Sequence, residues 1–111
     1  MDSLDKHRVI IRNVLTKLAQ IPYSYGDLSK RVSFDSQNDS YAVITQGWDG
    51  GKRVHSCLIH VDIVEGKIWV QRDGTEDGVT DEFVAAGIPK DQIVLGFHAP
   101  EKRKFTGYAN R

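Results

Sequence analysis

The chain reads as one α+β domain: an antiparallel sheet of about four to five strands covered by an N-terminal helix, with a second short helix near residues 78–86. Three observations predict this. A helical apolar period runs through residues 3–20 and stops at Pro22. Three strand-like segments are joined by the turns Asp49-Gly50-Gly51 and Glu65-Gly66. An acidic, helix-sized segment after Asp73 ends on Ala86-Gly87-Ile88-Pro89 and leads into the apolar run Ile93-Val94-Leu95. At 111 residues there is room for one hydrophobic core, and no linker, repeat or low-complexity tract divides residues 1–111.

In the first helix, Leu4, Ile11, Val14, Leu15 and Leu18 form the buried stripe, while Lys6, Arg8, Arg12 and Lys17 fall mostly elsewhere. Asp2 or Ser3 is the expected cap, and Asp5 suits the positive end of the dipole. So broad a stripe favours covering a sheet over lying along DNA. Residues 23–40 are rich in turn formers; Arg31–Asp35 is expected as an edge strand with Val32 and Phe34 on one side. Strands are then expected at Tyr41–Trp48, Lys52–Val64 and Lys67–Asp73.

A two-residue loop at Glu65-Gly66 sets Ile63 opposite Ile68 and Val61 opposite Val70, on one face with Ile59 and Cys57. A loop of about four residues at the first hairpin adds Ile44 and Ala42 to that face and sets Trp48 beside Arg53 as a cation–π pair. The opposite face carries Tyr41, Leu58, His60, Asp62, Trp69 and Gln71, aromatic groups amid polar ones, which is an interface composition. Two covers are expected for it, the C-terminal segment or a second copy in a homodimer. In the second helix Val79, Phe83 and Ala86 form the buried stripe, and Phe105 and Tyr108 anchor the tail.

Fifteen Lys and Arg balance fifteen Asp and Glu, so net charge supplies no pull toward DNA or an anionic membrane. The charges are nevertheless segregated. Seven acids lie in residues 62–82, whereas Lys102, Arg103, Lys104 and Arg111 share a tail without acids after Glu101. That pattern points to a protein partner. The lone Cys57 excludes an internal disulfide and a multi-Cys zinc site, and no apolar run is long enough to span a membrane. A cytoplasmic location is expected.

No catalytic set is recognisable, and no metal or cofactor site is expected. The acidic turn Asp73-Gly74-Thr75-Glu76-Asp77-Gly78 lacks the ligand alternation of a calcium loop, and helix-end electrostatics explains it. Glu65-Gly66-Lys67 mimics a nuclease signature, but it falls on the hairpin turn itself. His55 and His60, five apart on one strand, point to opposite faces unless a bulge intervenes. His98 is expected in a structural or contact role, and Cys57 as a core thiol.

The segments GWDGGKRVHSCLIHVDI, GKIWVQRDGTEDG, AGIPKDQIVLGFHAP and RKFTGYA resemble the XisI-like family, the fdxN element excision controlling factors of cyanobacteria. The likeness runs from the first helix to the tail. It falls on Trp48, Asp73, Gly74, Thr75, Glu76, Gly87, Ile88, Pro89, Gly96 and Arg103. Departures are mild: Ser56 and Cys57 stand where a Gly is often found, and Tyr108 where Phe is common. The resemblance implies a compact α+β domain and a non-enzymatic role in controlling fdxN excision during heterocyst differentiation. It implies work alongside an XisH-like protein and the XisF recombinase, with direct DNA contact as the alternative. The family offers no catalytic residues to carry over. Trp48, Trp69, Asp73, Thr75, Glu76, His98 and Arg103 are the candidate partner-contact surface.

Overall fold

In the computed structural model, which describes residues 3–24 and 26–111, the N-terminal period folds as helix α1 (Ser3–Ala19). Ile11 and Leu15 are fully buried, and Leu4, Val14 and Leu18 pack against the same core. The cap expected from Asp2 or Ser3 lies outside the described residues and side chains. A part-exposed ion pair adds to this packing. Arg8 donates from Nε to Asp39 Oδ1 (2.9 Å) and from Nη2 to Oδ2 (3.0 Å), and the Tyr41 hydroxyl donates to Asp39 Oδ1 (3.0 Å). These bonds, Arg8's first, hold the Asp39 carboxyl below the usual carboxylate range.

The same helix buries His7, only 8% exposed, with no partner for Nδ1 among the described residues. Burial pushes its pKa below the ordinary 6.5. The unfolded chain therefore binds the proton more readily than the folded one. This contribution to stability is complete above about 6.5 and is lost as pH falls from there through the lowered folded value. Urea midpoints measured across this range should fall with pH, and His7→Leu should flatten the slope; an unchanged slope would contradict the assignment.

Five strands follow in chain order across one sheet: β1 (Asp27–Asp35), β2 (Ser40–Asp49), β3 (Lys52–Val64), β4 (Lys67–Asp73) and β5 (Ile93–Leu95). The first four pair antiparallel. β5 returns through helix α2 (Val79–Ala85) and runs parallel to β4, so the sheet is mixed. Strand β1 begins four residues before the expected Arg31, because Asp27–Lys30 continue the ladder onto Thr45–Trp48. Gly50 (φ 57°) and Gly51 (φ 85°) form a two-residue reversal, and Trp48 lies opposite Arg53, whose guanidinium is 5.4 Å from the indole centroid.

Two bulges decide which side chains reach the core. Leu58 is the extra residue between the pairs Ile44–Cys57 and Val43–Ile59. Beyond it the alternation of β2 changes sides relative to expectation. Tyr41 and Val43 become fully buried core, whereas Ala42, Ile44 and Cys57 lie on the outer face; Leu58, expected there, packs against the core. The bulge also places His55 and His60 on the same face, though about 13 Å apart along the strand. The second bulge, at Gln71, separates Val61–Val70 from His60–Arg72 and sets Asp73 opposite Ile59. The pairs Val61–Val70 and Ile63–Ile68 are as expected and fully or almost fully buried.

Helix α2 buries Val79 and Phe83, but Ala86 is exposed and Ile88 takes the third core position. Gly87 (φ 119°) makes this possible, with Ile88 N–H donating to Phe83 O (3.0 Å) and Gly87 N–H to Val84 O (3.1 Å), a Schellman closure. The tail differs from expectation at Phe105, which is 79% exposed; Tyr108 does pack on the core. Ala109 N–H donates to Ile93 O (2.9 Å) and covers the outer edge of β5. No helix among the described residues is long and apolar enough to cross a membrane.

Candidate functional site

Lys67 and Trp69 alternate onto the outer face of β4, where helix α3 (Pro100–Arg103) and the tail meet them. Gly96 lets the chain lie flat there. A Cβ on it would come within 2.6 Å of Gln71 Oε1 and 3.1 Å of Trp69 Cε3, and its N–H donates to Val70 O (2.8 Å). Arg103 is then held from two sides. Its Nε donates to His98 O (3.0 Å), Nη2 reaches Gly96 O (3.4 Å), and the guanidinium sits 5.0 Å from the Trp69 ring centroid. His98 acts through its carbonyl; its ring packs on Phe97, centroids 4.6 Å apart.

Beside this stack lies an open groove of about 840 Å³ lined by Val64, Lys67, Trp69, Pro100, Arg103 and Arg111 among others. Lys67 Nζ also donates to the Arg111 carbonyl. An indole edge, a proline and three cations against the single Glu65 make a wall suited to an apolar side chain flanked by carboxylate or carbonyl groups. Val64 is not a candidate from sequence, and Lys67 enters there only in the Glu65-Gly66-Lys67 triplet, although it lies two residues before Trp69 and so shares its face.

Asp73, Thr75 and Glu76 are elsewhere. The Gln71 bulge turns Asp73 toward α2, where Oδ1 accepts from Thr75 N–H (3.0 Å) and Thr75 Oγ1 (2.5 Å), and Oδ2 accepts from Val79 N–H (2.6 Å). The carboxylate is consumed in starting the helix, as helix-end electrostatics predicts. Glu76 stays exposed beside a smaller groove of about 330 Å³ that also involves Leu18, Ile21, Tyr23 and Lys30. Trp48, 49% exposed, stands at the first hairpin, eight residues along β2 from the level of Trp69, or about 26 Å. The structure thus brings together Trp69, His98 and Arg103, and separates them from Trp48 and from the acidic turn.

His60, Asp62 and Gln71 share the outer face as expected, and Ser40, not expected there, joins them in a polar row. Ser40 Oγ lies 3.2 Å from His60 Nε2, the same nitrogen lies 3.0 Å from Asp62 Oδ1, and Gln71 Nε2 donates to Asp62 Oδ2 (3.4 Å). The residue types are those of a hydrolase triad, but the geometry is not. A relay needs the carboxylate on one ring nitrogen and the hydroxyl on the other, whereas both meet Nε2 here. Cys57 is half-buried, its thiol donates to Ile59 O (3.3 Å), and burial pushes its pKa up, away from a reactive thiolate.

Fold and groove together define a small α+β domain with an amphipathic, partly basic groove on the outer face of its sheet. The chain belongs to the XisI protein family, whose model matches residues 1–110. It is similar to a XisI-like protein from Anabaena variabilis ATCC 29413, known from a crystal structure, at 36% identity and a TM-score of 0.87, covering 96% of this chain and 98% of that one. It is also similar to the crystal structure of the fdxN element excision controlling factor XisI from the same organism. There the identity is 38% and the TM-score 0.84, over 99% of this chain and 100% of that one. No curated protein matches.

Proposed function

We propose that this protein is a non-enzymatic accessory factor in the control of DNA-element excision, as the name of its fdxN-factor relative suggests, and that it acts by contact with another protein. An XisH-like protein is the first partner to try and an XisF-type recombinase the second. The observation that carries this reading is the groove beside Trp69, where a held guanidinium, an indole edge and Pro100 form a ready-made pocket for an anchoring side chain. Co-purification with an XisH-like protein should succeed with the wild-type chain. It should weaken at least about tenfold for Trp69→Ala or Arg103→Glu, in the range of interface hot spots. Absence of any complex at micromolar concentrations would refute it.

A second reading, direct DNA contact, is favoured by the exposed Lys102 and Lys104 beside the groove cations Lys67, Arg103 and Arg111. It requires binding to element-border DNA that falls steeply with salt and is abolished by charge reversal at Lys102, Arg103 and Lys104. Salt-insensitive or absent DNA binding would leave the protein-contact reading alone.

A further inference from the structure

The two edges of the sheet are treated differently. The tail covers the edge of β5 through Ala109, but among the described residues no strand pairs with the outer edge of β1. A free nine-residue edge is normally guarded by lysine. Here Lys30 is drawn away, its amine donating to the Ile21 carbonyl and lying 4.5 Å from the Tyr23 ring centroid. What remains along the open edge is Arg31-Val32-Ser33-Phe34-Asp35.

This segment is complementary to itself. Laid antiparallel about a two-fold axis through Ser33, Arg31 meets Asp35 of the second copy, Val32 meets Phe34, and Ser33 meets Ser33. The faces agree as well. Arg31, Ser33 and Asp35 are exposed, whereas Val32 and Phe34 are half-buried on the helix side, where Phe34 packs on Tyr41 with centroids 5.6 Å apart. Neighbouring registers are worse. Centring on Arg31 opposes Arg31 to itself and Asp27 to Asp35, and centring on Val32 sets Lys30 against Phe34. Asp35 is held in place, its carboxylate accepting from Asn38 Nδ2 (2.7 Å) and from the N–H groups of Gln37 (3.1 Å) and Asn38 (3.2 Å).

We propose that β1 is a homodimerisation edge, on which a second copy of this chain pairs antiparallel through Arg31–Asp35 to give a continuous ten-stranded sheet. Five residues per strand make a smaller contact than the roughly 1,200 Å² of a stable interface, so the dimer is reversible, forming at micromolar to millimolar concentration. This pairing is independent of the groove and of whatever partner binds there.

Sedimentation velocity over a concentration series tests it. The wild-type chain should show a concentration-dependent dimer. Arg31→Asp opposes two pairs of carboxylates and Asp35→Arg two pairs of guanidinium groups, so each alone should weaken association by roughly tenfold or more. Mixing the two variants restores both ion pairs and should regenerate a heterodimer. The doubly swapped chain should pair with itself but not with wild type; it also serves if Asp35→Arg alone loosens its turn. A wild-type chain that stays monomeric to millimolar concentration overturns the proposal. So does a dimer indifferent to these changes, or an edge that pairs only with a different protein.

Discussion

Replacing Gly47 by alanine is expected to destabilise the protein by at least about 3 kcal/mol, the combined scale of a disfavoured backbone and a forced displacement. Gly47 sits at φ 143°, and a Cβ there would stand 2.0 Å from the Asp27 carbonyl oxygen and 2.9 Å from Leu28 Cα. Both obstacles are backbone, so no side-chain rotation relieves them. The start of β1 must leave β2, and the pairs Asp27–Trp48 and Leu28–Gly47 are lost. Urea unfolding should show the lowered midpoint, and hydrogen exchange should show protection lost at residues 27–30 before the rest of the sheet. Wild-type stability in the alanine variant would mean that β1 does not approach β2 as described.

Asp73→Ala is expected to cost about 2–3 kcal/mol, the scale for losing a cap and leaving a buried amide unpaired. The carboxylate serves three donors, and Val79, whose N–H it accepts, is 1% exposed, so water cannot replace it without opening the helix start. Phe83 lies one turn further along α2, so fraying at Val79 loosens a fully buried ring. Asp73→Asn keeps an acceptor oxygen and should cost about half as much or less. Denaturant melts followed by circular dichroism distinguish the two variants. Equal stability of all three chains would show that the cap is not what starts the helix. A loss of partner binding in Asp73→Ala that tracks its loss of stability would identify this residue as structural.

Much of this architecture was readable from local signals. The stripe on α1, the Glu65-Gly66 reversal and the Gly87-Ile88-Pro89 exit each specify backbone geometry within a few residues, and the structure follows them. The errors of face have one physical source. A bulge leaves no mark in the side-chain alternation until the partner strand is known, so Leu58 and Gln71 could not be placed from sequence. Tyr41 is therefore expected on the wrong face, and Asp73 is grouped with Trp69 as one candidate surface when it belongs to the helix side. Two residues of the candidate groove, Trp69 and Arg103, are legible as candidates in the sequence. Their meeting is not, because it depends on Gly96 passing so close to the indole that a Cβ would stand 3.1 Å from Trp69 Cε3.

The order of the strands has a consequence for how the chain is born. Neighbours in sequence are neighbours in the sheet, so β1 to β4 are joined by short reversals with little loop entropy to overcome. They can assemble while the last third of the chain is still being synthesised. The groove beside Trp69 has no second wall until Pro100 and Arg103 emerge and β5 has docked. The edge of β1, in contrast, is complete as soon as β2 has joined it. A chain grown only as far as β2 therefore already presents the Arg31–Asp35 edge, long before the groove beside Trp69 exists.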